Sequence, residues 1–516
     1  MKKNQKNIIS NAFSLTVSTL IVKLLGVVYK IPLAQFLGEE GMGYFNSAYT
    51  IYTLFYILCT AGVPKAIMIF ISEHDVDREK IIRVGTKTFL HLGIVTSIGF
   101  IIFSAPISHM IGNSGAYATM LALAPSILFI SLSGVIRGTL SADMKFTYVA
   151  VSQIIDGVTK LVLGLAFAIL ATRLKYTLIM ISAFTMLGVT LGSFAGLLYL
   201  LIVSKNNIFN NKSEQIDAFE KKEINRRIFR VSVPITASAA IMSITSIIDL
   251  TMIMHRLAYV GYTETEAVSL YGNFTTLALP IFNLAISIIT PISITFLPVF
   301  TNAIATRKNL TLRNSISTSL EFSALLSAPI MIGTLFYAEQ ILSLLFGDIG
   351  ITLGAALLRL LIFGVFFMSI LLIINSVLEA AGNVSAPVIA MSVGSILKLV
   401  ISYLLIGNSD FGISGAPIGT VISYAAALMV SLMIFTRKFG YFPPILKTSA
   451  PAYLCAFLAV SSSTVPYRLM LGRINSTVLI LIIILISALV YMFLCFILGV
   501  FSKQKLLEMS KYTKVT

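Results

Sequence analysis

Long apolar runs alternate with short polar connections along the whole 516-residue chain. Fourteen runs can be marked, at approximately 9–36, 43–71, 84–108, 115–140, 147–171, 178–203, 229–256, 269–299, 316–337, 351–378, 385–407, 415–436, 446–465 and 477–501. Each is close to or above the roughly 20 residues that a helix needs to cross a hydrocarbon core of about 30 Å. Lipid offers no partner to a free N–H or C=O, so such runs are predicted to be helices. The predicted class is an all-α integral membrane protein with 14 transmembrane helices. Runs two and eight exceed what a crossing needs, which predicts tilt or helix bends at Pro64 and Pro291.

The polar connections set the orientation. With the N-terminus inside, 26 of the 37 Lys and Arg residues fall in inside segments, Arg137 and Lys145 among them. The outside loops hold only Arg173, Lys175, Arg468 and Arg473. Basic residues gather on the cytoplasmic side, so both termini are expected there. The opening MKKNQKN leads into a long apolar run without a small-residue cleavage site, and is expected to be retained as the first helix.

Composition agrees with this pattern: 57% of residues are hydrophobic, 11% are charged, and the mean hydropathy is +0.94. A soluble chain would carry about a quarter charged residues. The net charge of +16 would suggest nucleic acid in a soluble protein. Here it reflects the inward basic bias toward anionic headgroups, so membrane phospholipids are expected neighbours and nucleic acid is not. Cys59, Cys455 and Cys495 fall inside apolar runs, and the four histidines lack ligand spacing, so no disulfide framework or metal site is expected. No cofactor is expected.

One sizeable polar connection, KNNIFNNKSEQIDAFEKKEINRR, separates runs six and seven. It divides the first twelve runs into two sets of six, and two internal matches follow that division. Tyr44 precedes Pro64 by the interval at which Tyr271 precedes Pro291, and Lys160 in VTKLVLG matches Lys398 in ILKLVIS. The expected organisation is two parallel six-helix lobes, residues 1–204 and 229–440, joined by a linker at 205–228. Two further helices and a cytoplasmic tail occupy 441–516.

Candidate chemistry lies in charges within the apolar runs. Seven basic residues sit there or at the edges (Lys23, Lys30, Lys65, Lys160, Arg256, Arg359 and Lys398), against Asp156, Asp249, Glu321 and Glu379. A charge at mid-bilayer costs about 2.5–3.5 kcal/mol, so such groups face a wet cavity or a partner. Seven residues separate Lys23 from Lys30, which returns to within about 20° of one helical face. Two ammonium groups there suit a diphosphate, although Lys30 could also snorkel to the interface. Lys65, Lys160, Lys398 and Arg256 are further candidate cavity cations. Asp156 stands one turn before Lys160, so an intrahelical ion pair competes with substrate binding. Asp249, Asp156 and Glu379 are candidates for ion coupling or for charge partners. The basic excess favours an anionic substrate.

STLIVKLLGVVYKIPLAQFLGEEGMGYFN (Ser18–Asn46) and TAGVPKAIMIFISE (Thr60–Glu73) resemble the opening of stage V sporulation protein B-type flippases. These polysaccharide transporters belong to the multidrug/oligosaccharidyl-lipid/polysaccharide (MOP) superfamily and are related to the MurJ lipid II flippases. Leu132–Gly164 is similar to the family's fourth and fifth helices, and Ser376–Gly407 with Phe411–Leu428 to its eleventh and twelfth. The resemblance implies two six-helix lobes around a central cavity, alternating access, and a lipid-linked saccharide substrate in a bacterial cytoplasmic membrane. It also implies that basic residues of the first two helices meet the substrate's diphosphate; Lys23, Lys30 and Lys65 fall at or beside those positions. Relatives often carry Arg where Lys stands here, which keeps the charge and loses the bidentate fork.

The expected function is therefore transfer of a polyprenyl-diphosphate-linked, anionic saccharide from the cytoplasmic to the outer leaflet. The protein is expected to work as a monomer, driven by Na⁺, H⁺ or the membrane potential. The alternative is a cation-coupled multidrug antiporter of the same superfamily, kept open by Asp249 and Asp156. An enzyme is not expected, because the outside loops are short and hold no paired carboxylates, nucleophile–His arrangement or phosphate loop.

Overall fold

The computed structural model of the protein describes residues 2–72, 78–208, 217–470 and 475–499. Among these the secondary structure is helical: α1 (Lys2–Thr60), α2 (Val63–Ser72), α3 (Arg78–Ile111), α4 (Ala116–Ala142), α5 (Phe146–Arg173), α6 (Leu178–Ile208), α7 (Ala218–Val260) and α8 (Glu264–Asn273) come first. A π-helical segment (Phe274–Ala278) leads into α9 (Leu279–Ala305), α10 (Asn309–Phe346), α11 (Ile351–Leu361), α12 (Phe363–Ala380), α13 (Ser385–Ile406), α14 (Gly415–Phe439), α15 (Ile445–Met470) and α16 (Ser476–Ile497). Thirteen helical runs among the described residues are long and apolar enough to cross a membrane. The first of these contains a kink at Gly38, where φ is 62° and ψ is −169°. Counting the two limbs of α1 separately accounts for the expected 14. An L side chain would be strained in that backbone conformation, so glycine is what permits the chain to turn there.

Contacts divide the chain into two compact units, Met1–Gly272 and Asn273–Thr516. The division falls downstream of the polar 205–228 connection because α7 packs on α1, α2 and α3. Ile224 and Ile228 of α7 join Val63, Ile67, Phe70, Ile81 and Val84 in one buried cluster. At Gly62, between α1 and α2, an added Cβ would lie 2.2 Å from the Ser232 carbonyl oxygen of α7. The bend expected in run two thus lies at Ala61–Gly62, and Pro64 occupies the first turn of α2, where its missing N–H costs nothing.

Small residues build the first unit, as expected where lipid removes the hydrophobic drive between helices. Along α6, Gly188, Gly192 and Gly196 recur every fourth residue and face α5. Cβ atoms there would lie 2.4 Å from Gly164, 2.6 Å from the Asp156 carbonyl and 3.1 Å from the Ser152 carbonyl. Buried serines tie other helices together: Ser97 donates to the Ala124 carbonyl (2.7 Å), Ser131 to Phe89 (2.8 Å) and Ser182 to Gly41 (2.8 Å).

In the second unit the irregularity of run eight is the π segment ahead of Pro280, and α9 continues unbroken through Pro291 and Pro298. Pro291 and Pro298 lie inside α9, and the π turn stands just ahead of Pro280, which has no N–H to donate. Phe296, Phe300, Ile316, Leu320, Ile373 and Phe435 centre the core. α13 and α14 pack closely at Gly394 and Gly419, much as α5 and α6 do in the first unit. α15 and α16 are held on α10 by Tyr337–Ser463 and Ser327–Tyr453 hydrogen bonds (both 2.9 Å) and by Tyr491 donating to Leu325. An apolar cavity of about 330 Å³ lies among these three helices, lined by Gly333, Tyr337, Val460, Ile484 and Tyr491.

Candidate functional site

The kink at Gly38 builds the centre of the site. Lys30 lies on the first limb of α1 and Asn46 on the second. A straight helix would hold residues sixteen apart about 24 Å from one another. Instead the Lys30 Nζ donates to Asn46 Oδ1 at 2.9 Å. The same limbs bring Tyr29 against Phe45, ring centroids 6.1 Å apart, and Phe45 stacks on Tyr49 at 6.1 Å.

α5 supplies the second cation. The Lys160 ammonium lies 4.7 Å from the Tyr49 ring centroid and 5.5 Å from that of Tyr29. No ion pair within 4.0 Å joins Lys160 to Asp156 among the described residues, so the intrahelical pair foreseen as one alternative does not form. Lys30 and Lys160 are close enough to repel one another. Two half-buried ammonium groups, a tethering amide and two aromatic rings thus converge on one place in the first unit.

Asp156 stands beside this group, half-buried against the glycine face of α6. Its electrostatic neighbours are Arg137 first and Lys160 second. Arg137, counted among the inside-segment cations, is buried, 8% exposed, inside α4. Its Nε donates to Ser152 Oγ at 3.2 Å. The Arg137 Nη2 lies 4.0 Å from where a Gly196 Cβ would be, an ordinary contact distance, so its guanidinium packs along the glycine face of α6.

The other expected residues are dispersed. Lys23 is on the first limb of α1, but its side chain lies outside the described residues. Lys65 is exposed on α2. Arg256 lies near the end of α7 with its guanidinium 4.5 Å from the Tyr259 ring, and the neighbouring His255 Nε2 is hydrogen-bonded to the Met110 carbonyl at 2.8 Å. Asp249 is half-buried on α7 within electrostatic reach of Tyr271, whose hydroxyl is 3.4 Å from Thr50 Oγ1. In the second unit Lys398 is half-buried mid-way along α13, and Glu379 is exposed near the end of α12. Arg359 pairs with Glu339 at 3.0 Å.

Three features of the site were readable but unread in the sequence. YFNSAYTIYTLFY places Phe45, Tyr49, Tyr52 and Tyr56 at helical spacing on one face, GVTLGSFAG carries the glycines that seat α5, and Asn46 lies within the motif that resembles the flippases.

A family model described as polysaccharide biosynthesis protein matches residues 8–304, which include every residue of this cluster. The chain belongs to that family. A second model, MatE, matches residues 234–404. Stage V sporulation protein B of Bacillus subtilis is 23% identical over 78% of both chains, and the Lipid II flippase MurJ of the same organism is 21% identical over 96% of both. The solved structure of a lipid II flippase MurJ in an inward closed conformation superposes with a TM-score of 0.68, at 18% identity over 94% of this chain and 98% of that one. An inward-facing MATE multidrug transporter of the MOP superfamily gives 0.66, at 16% identity over 83% and 98%. These likenesses establish the shared fold and bear out the resemblance to the MOP superfamily. This family member is a multi-pass membrane protein, and its relatives include a lipid II flippase.

Proposed function

We propose that the protein is a flippase that moves a polyprenyl-diphosphate-linked saccharide from the cytoplasmic to the outer leaflet by alternating access. The observation that carries this reading is the convergence of Lys30 and Lys160 beside Asn46 and Tyr49. Two like charges held together in a half-buried site are unfavourable without a ligand, and a diphosphate supplies the opposite charge at that spacing. The apolar cavity among α10, α15 and α16 suits an isoprenoid chain. Both termini lie in the cytoplasm in this reading, a monomer suffices, and Na⁺, H⁺ or the membrane potential resets the carrier. A ligand shifts such an equilibrium only through its different affinity for the two states, and neutralising the two lysines is the differential term.

The match of residues 234–404 to the MatE model supports a second reading, export of an organic cation with Asp249 or Asp156 as the binding carboxylate. The cluster holds Lys30, Lys160 and Arg137 against one Asp156, which favours the anion. One experiment separates the two. Flipping of a polyprenyl-diphosphate-linked saccharide, with lipid II as first substrate, is measured in vesicles for wild type, Lys23→Ala, Lys30→Ala and Lys160→Ala. Transport by wild type that collapses in folded Lys30 and Lys160 variants supports the flippase. Absence of flipping, with organic-cation efflux that depends on Asp249, replaces it by the antiporter.

A further inference from the structure

We infer that the end of the second unit formed by the α9–α10, α12–α13 and α14–α15 turns binds the headgroup of an anionic phospholipid. This surface belongs to the second unit and the Lys30–Lys160 cluster to the first, so the inference stands whether or not the flippase reading does.

Packing brings the three turns together. Leu312 and Ile316 of α10 share one buried cluster with Ala303 of α9, Phe435 of α14 and Ile445 of α15. The Arg313 guanidinium lies 4.2 Å from the centre of the Tyr441 ring, which packs edge-on against Phe435 with centroids 5.3 Å apart. From the last turn of α14, Lys438 Nζ donates to the Ala381 carbonyl at 2.6 Å, which brings in the α12–α13 turn.

Six exposed basic residues stand at these turns: Arg307, Lys308, Arg313, Arg437, Lys438 and Lys447. Among the described residues none of the six makes an ion pair within 4.0 Å. The same turns carry a single carboxylate, Glu379. In the first unit, by contrast, Arg78 and Lys145 pair with Asp143, Lys80 with Glu220 and Arg227 with Glu223. An inward basic bias calls for cations but not for the loss of their carboxylate partners. Clustered cations without partners repel one another, and a bound anion relieves that.

Apolar side chains point to a lipid as the source of the anion. Leu310 stands between Lys308 and Arg313, Phe442 follows Tyr441, and Leu446 precedes Lys447; all three are well over half exposed. Such alternation suits the membrane interface, where apolar groups enter the acyl boundary and Lys and Arg meet phosphate. A soluble anion or an acidic peptide has no use for the exposed Leu and Phe. The Tyr441 ring attracts the Arg313 guanidinium without neutralising it, so its N–H groups stay available for the paired bonds that phosphate accepts.

The test is native mass spectrometry of the full chain in detergent, with phosphatidylglycerol or phosphatidylcholine of the same acyl chains as probes. Wild type is expected to retain phosphatidylglycerol at least about tenfold more strongly. Phosphatidylglycerol should also raise the thermal midpoint, because it binds the folded chain. Arg313→Gln combined with Lys438→Gln and Lys447→Gln should bring the preference to within about twofold and abolish the rise. Lys221→Gln combined with Lys222→Gln and Arg226→Gln removes the same charge from α7 and should leave both effects in place. Should the first triple variant fail to fold, Arg313→Gln alone, at an exposed position, is expected to lower the preference by about threefold. No preference in wild type overturns the inference, as do equal losses in the two triple variants, which would mean that net charge alone attracts the lipid. Displacement of phosphatidylglycerol by an equal concentration of an acidic peptide overturns it in favour of a protein partner.

Discussion

The ammonium of Lys160 rests 4.7 Å from the centre of the Tyr49 ring, while Asp156, one turn earlier on the same helix, makes no ion pair with it. The cation is therefore positioned by an aromatic face that attracts it without neutralising it. A carboxylate partner would have to be displaced before phosphate could bind, whereas a ring need not be.

Replacing Tyr49 tests that arrangement. A cation–π contact contributes about 0.5–2 kcal/mol, so Tyr49→Leu should weaken binding of a short polyprenyl diphosphate by roughly two- to thirtyfold. Tyr49→Phe keeps the ring and should bind nearly as wild type. Titration of both variants in nanodiscs checks this; equal losses in both would show that the hydroxyl, not the ring, matters.

Arg137 and Asp156 should behave as a pair. Arg137→Gln leaves Asp156 without its principal countercharge and is expected to lower the thermal midpoint. Adding Asp156→Asn should recover much of that loss, a non-additivity that a double-mutant cycle measures directly. Additive losses would mean that the two groups do not communicate.

The glycine face of α6 sets a steric prediction. At Gly192 an added Cβ would lie 2.6 Å from the Asp156 carbonyl, so Gly192→Val should destabilise the protein by about 1–3 kcal/mol and displace α5 with its lysine. Gly99 has no heavy atom within 4 Å of its virtual Cβ, and Gly99→Ala should be close to neutral. Thermal unfolding in detergent compares the two.

Gly38 should be intolerant for a different reason. Its surroundings are open, but φ of 62° with ψ of −169° is a conformation for glycine alone. Gly38→Ala is expected to cost about 1–3 kcal/mol or to straighten α1, which would carry Lys30 away from Asn46. A crosslink between cysteines introduced at 30 and 46 reports the geometry: its yield should fall in the Gly38→Ala background.

The class of this protein was legible from polarity alone, because lipid leaves a long apolar run no structure but a helix. The observed elements follow the fourteen runs, from Ala116–Ala142 against 115–140 to Ser385–Ile406 against 385–407. Lys30, Lys160 and Asp156 could be singled out for the same reason: a charge inside an apolar run must be satisfied by something. Local sequence could not say by what. Whether Lys160 faces Asp156 or Tyr49 depends on the side-chain direction that α6 packing imposes on α5. Whether Lys30 meets Asn46 depends on a single backbone conformation at Gly38. Arg137 stands near a run's end in the sequence, and only the packed structure shows that it is buried with its Nε on Ser152. Hydropathy is a one-residue property and is written along the chain. The partner of each buried charge is a property of the packed helices, so tertiary structure alone decided it.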